Sequence, residues 1–186
     1  MNRQHLELCA SDEWRDVLRD QILPWALDGA GLGDDVLEVG PGPGRTTDLL
    51  RPELPRLTAV EVDVRLAAAL TERMAGTNVT VVRADATAMP FDDGRFTGAV
   101  SFTMLHHVPT VELQDRLFAE VARVLRPGAV FVAADSLASD ELASFHTDDV
   151  YNPVDPATMG DRLRSAGFAT AEVRTNPFGW TAHAMR

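Results

Sequence analysis

Lysine is missing from this chain of 186 residues, and all 17 of its basic side chains are arginines. A phosphate-binding loop of the Walker type requires a lysine, so that class of nucleotide site is excluded. Schiff-base chemistry and a lysine general base are excluded for the same reason. Any proton transfer in this protein must therefore use other titratable groups.

Cysteine is nearly absent as well, because Cys9 is the only one. One cysteine can form neither an intramolecular disulfide nor a zinc–thiolate cluster. The sequence has no run of 18 apolar residues, and its first residues lack the apolar stretch of a signal peptide. These absences predict a cytoplasmic protein that does not insert into a membrane.

Basic side chains are also scarce relative to acidic ones, with 28 acids against 17 bases and a net charge of −11. Binding to the phosphate backbone of a nucleic acid depends on an excess of basic side chains, so we expect no nucleic-acid partner. The length suits one domain with a full three-layer core. We therefore expect a single acidic domain that spans 1–186.

Strands and helices alternate along this domain. Apolar runs predict strands at 36–40, 57–61, 79–83, 96–102 and 129–135. Helical periodicity and capping signals predict helices at 11–27, 46–50, 64–74, 111–125 and 156–166. The tail, 168–186, has the pattern of two short strands around Asn176-Pro177. The alternation predicts a mostly parallel, doubly wound sheet with helices on both faces.

The first strand runs into a glycine-rich loop, Val-Leu-Glu-Val-Gly-Pro-Gly-Pro-Gly-Arg at 36–45. A dinucleotide fingerprint places its third glycine where this chain has Arg45, whereas here that glycine comes one residue early, at Gly44. The two prolines of the loop remove N–H donors that a pyrophosphate needs. Glu38 repels phosphate but suits a cation. The loop therefore predicts a nucleoside ligand without phosphates, although alone it could be a simple turn.

Acidic residues also end the second and third predicted strands, and the carboxyl ends of parallel strands share one edge of a sheet. Glu61 lies 21 residues after Gly40, where an acid can accept both hydroxyls of a ribose. Asp63 is an alternative for that contact, but we prefer Glu61. Asp85 suits the amino group of an adenine, with the Ala86 N–H near a ring nitrogen. Each acid alone could equally be a solvated strand end or a turn cap, whereas the set favours a nucleoside site.

The chain resembles class I S-adenosylmethionine-dependent methyltransferases of the type 11 group, which includes enzymes of ubiquinone and menaquinone biosynthesis. The matching segments are VLEVGPGPGR (36–45), AVEVD (59–63), ADATAMPFDDGRF (84–96), SFTMLHHV (101–108), EVARVLRPGA (120–129) and AGF (166–168). The resemblance implies S-adenosyl-L-methionine as cofactor. It also implies a three-layer α/β/α Rossmann-like methyltransferase fold, whose mostly parallel seven-stranded sheet ends in an antiparallel last strand.

The same resemblance implies the residues that hold the cofactor. It puts Glu61 on the ribose, Val62 beside the adenine, and Asp85 with Ala86 at the adenine edge. The residues expected around the methionine moiety are Glu38, Gly40, Pro41, Gly42, Gly44 and Phe102. The chain departs from the family at Thr97, where an aspartate is frequent, and in its short segment after the fifth strand, which leaves no room for a large substrate lid.

His106 and His107 are the histidines nearest to the expected position of the reacting methyl group. A neutral imidazole there could take a proton from an acceptor, so both are candidate catalytic residues. Alternatively, one of them could simply cap the following helix. His5, His146 and His183 are scattered along the sequence, and we predict no metal site.

We expect residues 31–135 to form the cofactor-binding core. Two segments outside this core are then available to bind an acceptor. The first is an N-terminal helical cap, 1–30, in which Trp14 could close over the cofactor or belong to the core side of its helix. The second is a short lid or substrate segment, 136–154, whose candidate pocket residues are Phe145, His146 and Tyr151. A C-terminal helix and strand pair, 155–186, completes the domain. Both segments are small, which favours a small acceptor in a pocket that a second subunit could complete.

These observations favour an enzyme that transfers a methyl group from S-adenosylmethionine to a small organic acceptor and releases S-adenosylhomocysteine. A non-catalytic module that binds or senses the same nucleoside is an alternative, because methyl transfer has no obligatory side chain. An NAD(P)-dependent oxidoreductase is a weaker alternative. Arg45, the two loop prolines and the Asp85-Ala86 pair argue against it.

Overall fold

One mixed sheet of seven strands organises the computed structural model, which describes residues 2–186. The strands are β1 (Asp35–Val39), β2 (Arg56–Glu61), β3 (Val79–Arg83), β4 (Phe96–Phe102), β5 (Leu125–Ser136), β6 (Thr170–Thr175) and β7 (Gly179–Met185). Their spatial order is β3-β2-β1-β4-β5-β7-β6. Six of these strands run in one direction, and β7, which pairs antiparallel with both β5 and β6, runs in the opposite one. This confirms the expected sheet with an antiparallel last strand.

Eight α-helices accompany the sheet within residues 2–186. They are α1 (Arg3–Cys9), α2 (Asp12–Val17), α3 (Leu23–Ala26), α4 (Arg45–Leu50), α5 (Val64–Arg73), α6 (Val111–Val124), α7 (Asp140–Phe145) and α8 (Pro156–Ser165). A π-helical turn, Leu18–Ile22, joins α2 to α3, and 3₁₀ turns occur at Arg51–Glu53 and Leu105–His107. No helix among these described residues is long and apolar enough to cross a membrane.

The sheet is covered on both faces, as its apolar strands require. All five residues of β1 are buried. One apolar cluster packs α6 and α8 against the sheet, through side chains such as Phe118, Leu163 and Phe131. A second cluster packs α3 and α4 against it, through side chains such as Ala26 and Leu50. The three layers thus follow from burying both faces of a parallel sheet.

The fifth strand begins earlier than expected. Leu125 follows directly on α6 and pairs with Phe96, so the strand starts four residues before the predicted boundary at 129. The Arg-Pro-Gly stretch that we expected to separate helix from strand lies within β5. Gly128 there has a φ of +81°, and its N–H donates to the Arg186 carbonyl at 2.7 Å. The hydrogen bond to Arg186 thus stabilises the Arg-Pro-Gly segment within the strand, although the sequence of this segment favours a turn.

The predicted helix 11–27 forms, but not as regular α-helix. Ser11 caps it as expected, since its hydroxyl accepts from the Trp14 N–H at 3.0 Å. Pro24 has no N–H to donate to the preceding turn, and the chain adopts the π-helical turn just before it, where the Leu23 N–H bonds back to Leu18. Proline therefore alters the hydrogen bonding of the helix and does not end it, since the helix continues to Ala26.

Two short helices lie where no regular structure was expected. One is α1, which precedes the predicted helix, and the other is α7, which lies in the segment 136–154 that looked irregular. Ser139 caps α7 by accepting from the Leu142 N–H at 3.1 Å. Each of these helices has only six or seven residues, too few for a clear periodic pattern.

Thr97, the departure from the family pattern, links the start of β1 to β4. Its hydroxyl accepts a hydrogen bond from the Asp35 N–H at 2.9 Å and donates to the nearby backbone carbonyl of Leu32 or Asp35, which lie at 3.2 and 3.1 Å. Thr97 therefore connects β1 and β4 through hydrogen bonds at the amino ends of these strands.

Candidate active site

A cavity of about 800 Å³ opens at the carboxyl ends of β1, β2 and β4. The sheet order reverses between β1 and β4, and this switch point is where open α/β sheets bind ligands. Helices α1 and α2 cover it from above. The predicted site residues that line the cavity are Gly40, Pro41, Gly42, Glu61, Val62, Asp85, Ala86, Phe102, Trp14 and His107.

The glycine loop after β1 forms one wall of this cavity. Gly40, Gly42 and Gly44 all have left-handed backbone conformations, with φ between +54° and +82°. At Gly40 the constraint is also steric, because an added Cβ would overlap the Met104 side chain. The Gly40 N–H donates to the Val60 carbonyl at 2.9 Å, which ties the loop to β2. Only glycine satisfies both demands at this position.

Glu61 joins the glycine loop to the end of β2. Its Oε2 accepts from the Gly42 N–H at 3.0 Å, and its Oε1 accepts from the Asp63 N–H at 2.9 Å. Each carboxylate oxygen can accept a further hydrogen bond, and the side chain lines the cavity. Asp63, the alternative ribose acceptor, caps α5 by accepting from the Arg65 and Leu66 N–H groups. The geometry therefore favours Glu61 as an acceptor of ligand hydroxyls.

An apolar surface and an acid lie farther along the cavity wall. Val62 is 64% exposed and lines the cavity, an unusual position for a branched apolar side chain. Asp85 is exposed, and its Oδ1 accepts from both the N–H and the hydroxyl of Thr87 at 2.8 Å. Asp85 thus does cap a turn, as its alternative interpretation predicted, while it also lines the cavity beside Ala86.

Glu38 and Gly44 do not line the cavity, in contrast to our expectation that they surround the ligand. Glu38 is 2% exposed and lies beneath the loop, where its Oε2 accepts from the Thr47 hydroxyl at 2.6 Å. Burial raises the pKa of the Glu38 carboxyl to about 7, and the nearby acids Asp48 and Glu61 add to the effect. Glu38 therefore supports the loop from below and carries a labile proton near neutral pH.

The turn after β4 brings the histidines to the site. Phe102 ends β4 at the cavity, and Thr103 follows with a φ of +52°, a strained conformation for a β-branched residue. The 3₁₀ turn then places His107 in the cavity wall and His106 behind it. Of the two histidines predicted to act on the substrate, only His107 reaches the cavity.

Asp135 is a site residue that sequence reasoning missed. It is 4% exposed at the end of β5, where its Oδ1 lies 2.7 Å from Nδ1 of His106 and its Oδ2 accepts from the His106 backbone N–H at 3.1 Å. The signal was available, because this acid ends the fifth predicted strand just as Glu61 ends the second.

Our expectation that His5 and His146 are scattered is wrong. His5 of α1 and His146, which caps α7, meet His106 and His107 in one cluster, with the His5 and His146 ring centroids 4.5 Å apart. His5 lies more than a hundred residues before the other three histidines, and His146 lies 40 residues after His106, so no local pattern reveals the cluster. His183 does lie elsewhere, with its Nε2 bonded to the Ala26 carbonyl at 2.6 Å.

The residues predicted to line the acceptor pocket surround this histidine cluster instead. Phe145 packs edge-on against His5 at 5.0 Å, and Tyr151 stacks on His146 at 4.6 Å between ring centroids. Phe145, His146 and Tyr151 do not line the cavity. Asp149 and Val150 from the same segment do line it.

The N-terminal segment is fastened over the cavity at two places. The Arg45 guanidinium donates to the Ala10 carbonyl from Nε at 2.8 Å and also from Nη2. The Asn2 N–H donates to Oδ2 of Asp149 at 2.7 Å, and its side-chain amide donates to the Phe145 carbonyl at 2.8 Å. The segment is therefore linked both to the glycine loop and to the region around α7.

Burial in this cluster lowers the pKa of two histidines. The pKa of His5 is lowered to about 4 by burial and by the neighbouring His146 and His106. The pKa of His107 is lowered to about 3 by burial and by His106 and His5. Both rings are therefore neutral at pH 7, with one lone pair each available on a ring nitrogen.

A doubly wound sheet in this order, with a glycine turn after β1 and an acid ending β2 at one shared cavity, defines the class I S-adenosylmethionine-dependent methyltransferase fold. A family model described as a methyltransferase domain matches residues 37–133. The chain belongs to this methyltransferase family. The resemblance to class I methyltransferases of the type 11 group is thereby confirmed.

Several known proteins are similar to this chain. The phthiotriol/phenolphthiotriol dimycocerosates methyltransferase of Mycobacterium tuberculosis is 32% identical over 124 residues, which are 66% of this chain and 45% of that protein. A probable ribosomal RNA small subunit methyltransferase A of Haloarcula marismortui is 39% identical over 176 residues, which are 87% of this chain and 59% of that protein. The chain thus spans about half the length of these curated relatives.

Among solved structures, a SAM-dependent methyltransferase from Aquifex aeolicus superposes with a TM-score of 0.76. The match covers 100% of this chain and 98% of that one at 17% identity. At this identity the likeness concerns the fold, and it extends over the whole chain.

Proposed function

We propose that this protein transfers the methyl group of S-adenosylmethionine to a small organic acceptor and releases S-adenosylhomocysteine. The observation that carries the proposal is the shared cavity, in which the Gly42 amide and the Glu61 carboxylate are bonded to each other and face the same space. The bound cofactor would supply a sulfonium methyl group, whose carbon an acceptor atom attacks in line while S-adenosylhomocysteine leaves as the carbon–sulfur bond breaks. The protein's part is to bind and orient the two reactants.

The cavity fits a nucleoside without phosphates. Glu61 has acceptor capacity for the two ribose hydroxyls, and the exposed face of Val62 suits an adenine ring. Asp85 and Ala86 offer an acceptor and a donor at the edge of that ring. Gly40 lets the backbone approach the methionine part closely. These proposed contacts are the ones expected from sequence, apart from Glu38 and Gly44, which do not line the cavity.

The electrostatics of the cavity support a cationic ligand over a dinucleotide. Glu61, Asp63 and Asp85 all line it, and two of the loop residues facing it are prolines, which have no N–H to offer a phosphate. Acids outnumber arginines in the lining, with Glu61, Asp63, Asp85 and Asp149 against Arg45 and Arg65. The cavity therefore disfavours a pyrophosphate and suits the positively charged methionine end of S-adenosylmethionine. This argues against the NAD(P)-dependent alternative.

The residues that cover the cavity support the proposal that the acceptor is small. Trp14, Leu6 and Val150 close the space above the glycine loop, and His107 forms the wall next to Phe102. We assign His107 to positioning of the acceptor, because a pKa of about 3 makes it a weak proton acceptor. The net charge of −11 disfavours an RNA acceptor, although one relative is named as a ribosomal RNA methyltransferase.

The proposal is tested by following S-adenosylhomocysteine production with a panel of small hydroxyl, amine and carbon acceptors, and with ribosomal RNA in a parallel assay. We expect turnover with at least one small acceptor and none with RNA. The Trp14→Ala variant should raise KM for that acceptor while the exposed-site variant Glu72→Ala behaves like the parent. Binding of S-adenosylhomocysteine without turnover across the panel would support the non-catalytic alternative. Turnover with RNA alone would overturn the small-acceptor proposal.

A further inference from the structure

Four histidines from three separate segments converge beside the methyl-transfer cavity. His5 comes from α1, His106 and His107 come from the turn after β4, and His146 ends α7. One ring nitrogen from each lies within 4.8 Å of the nitrogens of the other three. His5, His106 and His146 are each more than nine-tenths buried. So compact a group of buried imidazoles is not required by the fold.

Each of the four rings has one buried nitrogen that makes no hydrogen bond to any described residue. These nitrogens are Nδ1 of His5 and Nε2 of His106, His107 and His146. Buried polar atoms nearly always have a partner, so four unpartnered nitrogens in one place indicate a ligand that all four share. A single N–H donor satisfies one lone pair, whereas a metal cation satisfies several converging lone pairs at once.

The other ring nitrogen of His106 and of His146 makes the kind of hydrogen bond that metal-binding histidines usually make. Nδ1 of His106 lies 2.7 Å from Oδ1 of Asp135, and Nδ1 of His146 lies 2.6 Å from the Leu142 carbonyl. A carbonyl or an ionised carboxylate can only accept, so Nδ1 carries the proton in both rings. The lone pair of Nε2 then faces the cluster. Such an outer hydrogen bond fixes the ring orientation and makes the ligand nitrogen more basic.

We propose that His5, His106, His107 and His146 bind one divalent first-row transition-metal ion, with Zn²⁺ as the representative. Neutral imidazole suits zinc, and four nitrogens at about 2.0–2.1 Å from Zn²⁺ give tetrahedral coordination with about 3.3 Å between nitrogens. The ligand nitrogens lie within 4.8 Å of one another, and binding would draw the widest pairs together to about 3.3 Å. Oδ2 of Asp149 lies 3.8 Å from Nδ1 of His5 and places a negative charge beside the ion.

The ion joins the cover of the active site to the sheet. His5 belongs to α1, the helix whose Leu6 and Cys9 line the cavity, and His146 ends α7. His106 and His107 lie on the turn that follows β4. Metal binding therefore fastens α1 and α7 to the core and sets the position of the His107 ring in the cavity wall. The site is independent of the identity of the methyl acceptor.

The site is tested by titrating chelator-treated protein with Zn²⁺ by calorimetry and with Co²⁺ by visible absorption. We expect one ion per chain and the intense visible bands of tetrahedral Co²⁺. His5→Asn and His146→Ala should each weaken Zn²⁺ binding by more than about 10-fold, and Asp135→Asn should weaken it by about 10–100-fold through His106. His183→Ala, which removes a histidine outside the cluster, should bind Zn²⁺ as the parent does.

Circular dichroism of each metal-free variant shows whether it is folded, and His5→Asn lies on a short terminal helix where folding is least at risk. Zn²⁺ should also slow hydrogen exchange in residues 3–9 of the parent protein. The absence of Co²⁺ bands with the parent protein would overturn the proposal. So would parent-like Zn²⁺ affinity in both folded cluster variants. These readouts do not depend on methyl transfer, so the metal site and the proposed function can fail separately.

Discussion

The Gly42 amide donates a hydrogen bond to Oε2 of Glu61 at 3.0 Å, across the gap between the loop after β1 and the end of β2. This bond holds the glycine loop and the acid in one fixed relation before any ligand binds. Because both groups line the cavity, the ribose and methionine contacts that we propose for them would be preorganised together. The arrangement explains why the loop and the acid 19 residues after it act as one site.

Removal of the Glu61 carboxylate should weaken S-adenosylhomocysteine binding strongly. Hydrogen bonds to a charged group are worth about 1.5–3 kcal/mol, so Glu61→Ala should lower affinity by about 10- to 100-fold. Calorimetric titration measures this, with Glu72→Ala on the exposed face of α5 as a control of equal charge change. Unchanged affinity in Glu61→Ala would show that Glu61 does not contact the ribose.

Gly40→Ala should destabilise the protein more than Gly76→Ala does. Gly40 has a φ of +70° and an added Cβ overlaps Met104, whereas Gly76 has a φ of +77° with no heavy atom within 4 Å of that position. Gly76→Ala therefore reports backbone strain alone, about 1 kcal/mol. Urea unfolding should show a larger loss for Gly40→Ala, accompanied by loss of S-adenosylhomocysteine binding. Equal losses in the two variants would mean that the close approach to Met104 is unimportant.

The buried carboxyl of Glu38 should make stability depend on pH between about 4.5 and 7. Its pKa is raised from 4.5 to about 7, so in this range the folded state retains a proton that the unfolded state loses. The free energy of unfolding should therefore fall as pH rises from 4.5 to 7, by roughly 3 kcal/mol at most. Below pH 4.5 both states are protonated and the effect vanishes.

Glu38→Gln removes this titration while keeping an acceptor for the Thr47 hydroxyl. Relative to the parent, the variant should become progressively more stable as pH rises from 4.5 to 7. Glu72→Gln serves as the control for loss of one exposed charge. Urea unfolding at a series of pH values gives the comparison, and a stability difference that does not change with pH would contradict the raised pKa.

Most of the sheet could be predicted from sequence because its signals are local. Buried parallel strands are continuous apolar runs, and β3 and β4 were predicted at their observed bounds, 79–83 and 96–102. The cavity wall could also be predicted, since strand order places the residues after each parallel strand at one edge. Glu61, Val62 and Ala86 illustrate this, because each follows or ends a strand and lines the cavity.

The histidine cluster could not be predicted, because it depends on tertiary contacts between short elements. His5 and His146 lie on helices of seven and six residues, which give little periodic signal. Their meeting with His106 depends on how α1 and α7 pack over the turn after β4. Similarly, nothing local in the sequence shows that Glu38 faces Thr47 beneath the loop and not the cavity.

We propose that the cavity at the glycine loop binds S-adenosylmethionine. Calorimetric titration of the parent protein with S-adenosylhomocysteine and, separately, with NAD tests it most directly. We predict saturable binding of one S-adenosylhomocysteine per chain and no measurable binding of NAD. Binding of NAD, with none of S-adenosylhomocysteine or S-adenosylmethionine, would contradict the account.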